Sequence, residues 1–141
     1  HTVKKAKYPF IDIHNHQNNM PTQDLGYLIK QMDSLNMKVM INLSGKGSYR
    51  SGAREQGTDF LIQSVQAGKE KAGGRVIVFT NLNFSDIDNP NWSAETVKAL
   101  EKEVKAGAMG LKIFKDLGLE VKDSKGNRIR TNDPRLDPAT A

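Results

Sequence analysis

Apolar residues along the chain gather into four short runs, Pro9–Ile13, Val39–Leu43, Val76–Phe79 and Met109–Phe114. Runs of about five such residues between polar stretches suit strands buried on both faces. Between the runs, apolar positions recur at helical spacing. Leu25, Leu28, Met32 and Leu35 form one stripe. Phe60, Leu61, Ser64, Val65 and Gly68 form a weaker one, opened by Thr58 or Asp59 and closed by Gly73-Gly74. Val97, Leu100 and Val104 form a third, with Ser93 as its N-cap and Gly107 as its stop.

The alternation reads β-α-β-α-β-α-β, with strands starting near residues 9, 38, 75 and 109. Strands joined by helical crossovers run parallel. An open doubly wound sheet usually carries a glycine-rich turn after its first strand. Here that turn is His14-Asn15-His16-Gln17-Asn18-Asn19, without glycine. A (β/α)8 TIM barrel spends about 31 residues on each unit, so its first four occupy about 125. The expected architecture is therefore α/β, with residues 1–141 as the N-terminal half of such a barrel. Residues 119–131 read as a β-hairpin around Asp123-Ser124-Lys125-Gly126-Asn127, and Asn132-Asp133-Pro134 as a helix start. A half barrel leaves open strand edges and one uncovered face. The expected partners are thus the C-terminal half of the barrel, with homo-oligomerisation as a second way to cover the edges.

Composition narrows the chemistry. The chain has no Cys, which removes disulfides, thiolate metal sites and cysteine nucleophiles. Its net charge of +5 is spread along 141 residues without a block of like charge, so no nucleic-acid tail is expected. No apolar run approaches the ~18 residues of a membrane span, so no membrane partner is expected either.

The candidate chemistry begins at Phe10-Ile11-Asp12-Ile13-His14-Asn15-His16. Strand alternation places His14 and His16 on one side, about 6.5–7 Å apart. Two imidazoles converging at the carboxyl end of a strand can share a divalent cation. Asp12 has the same parity and lies one step deeper, where it can orient a ligand from the second shell of the site. A catalytic zinc commonly takes three protein ligands and keeps an open position. The remaining histidine, His1, is terminal.

Residues 10–16 resemble the first-strand metal motif of the amidohydrolase superfamily. Gly107-Ala108-Met109-Gly110-Leu111-Lys112-Ile113-Phe114-Lys115-Asp116-Leu117-Gly118 resembles the fourth-strand region of its amidohydrolase-related group, which includes nonoxidative decarboxylases. The resemblance implies a metal-dependent barrel enzyme acting on a small molecule, with zinc, or else Mn, Fe or Mg, on His14 and His16. It implies further ligands, His on strands five and six and Asp on strand eight, outside this chain. Lys112 matches the lysine that is carboxylated in binuclear members. The alternative for it is an ion pair at the barrel mouth.

A glycine-rich basic loop, Ser44 to Arg54, follows the second strand. Its Lys46, Arg50 and Arg54 can hold a substrate carboxylate or phosphate; the alternative is a solvated lid. Asn42, Asn81 and Asn83 also fall near strand ends, and Trp92 reads as a packing residue. The leading expectation is a mononuclear metal-dependent hydrolase or decarboxylase. A TatD-type or histidinol-phosphatase-like phosphoesterase and a non-catalytic binding domain are the alternatives. The segment Lys-Ala-Lys-Tyr-Pro-Phe-Ile-Asp resembles family members that follow an exported leader, which favours a secreted or periplasmic location over a cytoplasmic one.

Overall fold

Strands and helices alternate along the chain in the computed structural model, which describes residues 4–47 and 57–140. They are β1 (Phe10–Asn15), α1 (Leu25–Leu35), β2 (Met37–Asn42), α2 (Thr58–Glu70), β3 (Val76–Val78), β4 (Thr80–Asn81), α3 (Trp92–Ala106) and β5 (Leu111–Lys112). A 3-10 turn, Pro134–Leu136, runs into the short helix α4 (Asp137–Thr140).

Local chemistry sets most of the boundaries. Asp24 caps α1, its carboxylate accepting from the Tyr27 N–H at 2.9 Å, and Asn36 ends the helix in the left-handed region. Gly107 stops α3 at φ 117°, a conformation that favours glycine. The N-cap of α3 is Asn91 rather than Ser93, which lies inside the first turn. Asp133 accepts from the Arg135 N–H and Pro134 opens the 3-10 turn. The segment 119–131 folds back through one antiparallel bridge, Lys122 to Arg128, with Gly126 at φ 82° in the turn.

All named strand pairs are parallel. β1, β2 and β3 form a sheet in that order, with Ile11 beside Val39, Met40 beside Val76 and Ile41 beside Ile77. β4 and β5 form a separate sheet, with Thr80 beside Leu111 and Asn81 beside Lys112.

The half-barrel expectation is overturned here. The described residues form a small α/β domain with short parallel sheets of three and two strands, and no barrel. The physical reason lies in the third and fourth apolar runs. The third run changes partner at Phe79, pairing with β2 before it and with β5 after it. The fourth run keeps only two residues in ladder pairing, because Gly110 is pressed onto the Phe79 ring and Met109 reaches back to the Val78 carbonyl. Short, staggered strands therefore replace the long staves a barrel requires.

Two hydrophobic clusters result. One packs the inner faces of α1 and α2 on the first sheet, through Leu25, Met32, Met40, Leu61, Val65 and Val76. The other gathers Leu82, Phe84, Trp92, Leu117, Ile129 and Leu136 around the ends of β4 and β5. On the sheet face opposite the first cluster, Val39, Ile41 and Ile77 are only half-buried, and Ile11 on the edge strand is 56% exposed.

Candidate functional site

The carboxyl end of β1 is where the two internal histidines meet. Asp12 pairs with Met40 and Asn15 with Asn42, so β1 advances three residues while β2 advances two. That extra residue is a bulge, which bends an edge strand and re-aims its side chains. Asp12 braces it: Oδ1 accepts from the His14 N–H at 3.0 Å and Oδ2 from Asn15 Nδ2 at 2.8 Å. The acid holds backbone and a neighbouring amide here.

The two imidazoles lie at this bulge. Their ring centroids lie 5.3 Å apart, edge-on at 66°. Two imidazoles on one tetrahedral zinc, at the usual Zn–N of 2.0–2.1 Å, place their centroids roughly 5.2 Å apart. The spacing therefore fits a shared cation. His16 is further fixed by a 2.7 Å hydrogen bond between Nδ1 and Ser44 Oγ, and by the Phe114 ring stacked 6.1 Å away. His14 and His16 are both exposed. Among the described residues no group of three or more His, Cys, Asp or Glu side chains is arranged to hold a metal ion.

Buried amides tie the neighbouring strand ends together. Asn42 Oδ1 accepts from the backbone N–H groups of Gln17 and Ser44, both at 2.9 Å, while Nδ2 donates to the Gln17 carbonyl. Asn81 Oδ1 accepts from the Lys46 N–H at 2.7 Å, and Nδ2 donates to the carbonyls of Leu43 and Lys112, each at 3.0 Å. Each asparagine thus stitches its own strand end to the exit loops of its neighbours. Both are fully buried, so their work is structural rather than contact with a ligand. Asn83 differs. It is half-buried and lines a cleft of about 420 Å³ with Leu82, Phe84, Ser85, Asp116 and Glu120, at the carboxyl ends of β4 and β5.

Lys46 is held at φ 51° between two crowded glycines. A Cβ on Gly45 would collide with the Phe79 carbonyl, and one on Gly47 with the Glu103 carboxyl. Arg50 and Arg54 lie outside the described residues. Lys112 is half-buried in β5, opposite Asn81, and its carbonyl is tied to that side chain.

Sequence reasoning passed over three groups. Ser44 and Phe114 sit in segments it noticed, but their contact with His16 spans 28 residues for one and 98 for the other (44 − 16, 114 − 16). Glu103 is wholly buried in α3, where Thr80 donates to one carboxyl oxygen at 2.5 Å and Thr58 to the other at 2.8 Å. Burial pushes this carboxyl above the ordinary glutamate range, against the pull of those two hydroxyls and of Lys102. An acid three residues after Leu100, on the helix's apolar side, was the available signal.

No protein-family model, curated protein or solved structure matches the chain. No helix among the described residues is long and apolar enough to cross a membrane.

Proposed function

We propose that the chain carries part of the metal centre of a metal-dependent hydrolase acting on a small molecule. The observation that supports this reading most is the 5.3 Å convergence of His14 and His16 at a strand's carboxyl end. The likeness of residues 10–16 to the amidohydrolase motif supports the same reading. In this proposal His14 and His16 each give one imidazole nitrogen to a divalent cation, zinc in the first instance. When bound, such a cation supplies a Lewis acid that lowers the pKa of a coordinated water toward ~7 or polarises a substrate carboxylate.

The chain's own residues do the rest. Asp12 holds the bulge that aims His14, and Phe114 limits rotation of the His16 ring. Lys46, with Arg50 and Arg54 of the same loop, receives an anionic group of the substrate. The third ligand of a catalytic site comes from outside the described residues.

Competition against a chromophoric chelator measures zinc affinity for the wild type and for His14→Ala combined with His16→Ala. The proposal expects binding in the first and a loss of at least about tenfold in the second, the low end of what disturbing a metal site costs. Equal affinity in the two proteins ends it.

A further inference from the structure

His16 is held on two sides, and among the described residues its Nε2 has no hydrogen-bond partner. Nδ1 faces Ser44 Oγ at 2.7 Å, and Phe114 lies along the ring face at an interplanar angle of 27°. Ser44 is itself immobilised: it is 3% exposed, and its N–H is taken by Asn42 Oδ1. The Asn42 amide has one workable orientation. Its oxygen meets two N–H donors, and its nitrogen meets the Gln17 carbonyl and Met20 Sδ. Turned over, it would set donors against donors.

A neutral imidazole carries one proton, and the nitrogen that meets a cation must be bare. We infer that Ser44 is a positioning residue that accepts the His16 Nδ1 proton and so presents the bare Nε2 as the metal-binding atom. This rests on the reading of His14 and His16 as a cation pair. Rotating the ring by half a turn would place a carbon against Ser44 Oγ and lose the hydrogen bond, so ring orientation and tautomer are selected together. His14, whose ring has no hydroxyl partner among the described residues, is the internal reference.

The test reads the proton directly. Long-range 1H–15N correlation of the imidazoles in the metal-free whole chain, at a pH where both rings are neutral, reports the tautomer of His16. The expected result is protonated Nδ1 in the wild type and in Ser44→Thr, and a shift toward protonated Nε2 in Ser44→Ala. Zinc affinity should fall about 10–100-fold in Ser44→Ala and recover in Ser44→Thr, the range typical of partners behind a metal ligand. Protonated Nε2 in the wild type overturns the inference without reference to any variant. So does an unchanged tautomer in a Ser44→Ala protein whose backbone amide spectrum is native. The expected tautomer without zinc binding keeps the Ser44 hydrogen bond as assigned but overturns both the metal-binding role of Nε2 and the hydrolase proposal.

Discussion

Around β1, β2 and β3 the core is assembled from strand and helix faces that repeat along the sequence, whereas around β4 and β5 it is assembled from loops. Leu25, Met32, Leu61 and Val65 all arrive on regular helices over a regular sheet. Leu82, Phe84, Ile87, Leu117 and Ile129 arrive on connecting segments, gathered under Trp92 at the start of α3. A periodic core tolerates a local loss because neighbouring turns still dock. An aperiodic core depends on a few large anchors, since no repeating face replaces one that is lost. Trp92 is such an anchor, stacked 6.2 Å from Phe84 and donating its indole N–H to the Asn83 carbonyl at 2.9 Å.

Trp92→Ala should therefore give the largest effect, a loss of about 3–5 kcal/mol in chemical denaturation. Hydrogen exchange should speed up first in the segments following β4 and β5 and only later in β1–β3. Equal acceleration everywhere would show one cooperative unit and abolish the distinction between the two regions.

Glu103 sits at the seam, joining α3 to Thr80 of β4 and Thr58 of α2. Its folded pKa lies above the unfolded value of about 4.5 because burial disfavours the charged form. The native state thus holds this proton more tightly than the unfolded chain. The stability it contributes is complete below the unfolded pKa and is lost as pH rises through the raised one. A tenfold difference in proton affinity between the two states is worth about 1.4 kcal/mol. Glu103→Gln should therefore flatten the decline and be the more stable protein above that window. Melting curves across pH decide this, and a variant with an unchanged pH slope would remove Glu103 from the account.

The smallest effect belongs to the periodic region. Asp24→Ala removes the α1 cap and should cost about 0.5–2 kcal/mol in the same denaturation experiment, since the rest of the helix face stays docked. A loss as large as that from Trp92→Ala would mean that the first region also hangs on single anchors.

These contrasts mirror how far each part could be read beforehand. Of the α2 stripe, Leu61, Ser64, Val65 and Gly68 are buried, while Phe60 at its start is half-buried. The α1 stripe kept Leu25 and Met32, while Leu35 at its end is 43% exposed. The α3 stripe slipped by one residue: Val104 is 60% exposed, and Glu103 beside it is wholly buried. Hydropathy ranks valine as the inward residue. Two hydroxyls from distant segments make the glutamate acceptable there, and periodicity carries no record of them. For the histidine pair, the sequence placed both rings on one strand end. Their rings lie 5.3 Å apart beside a bulge that alternation does not foresee.

The sequence by itself determined the alternation of strands and helices, their parallel sense, the stop at Gly107, and the placing of His14 and His16 at one strand end. Each of these depends on neighbours within a few residues, or on a repeat that one segment carries alone. Only the tertiary structure decided that the strands are short and split between two sheets rather than staves of a barrel. It alone also decided that Asn42 and Asn81 are buried stitches and that Ser44 and Phe114 hold His16. Those outcomes turn on pairings across tens of residues, such as Phe79 against Gly110 and Ser44 against His16. There, close packing and the need to satisfy buried polar groups override local preference.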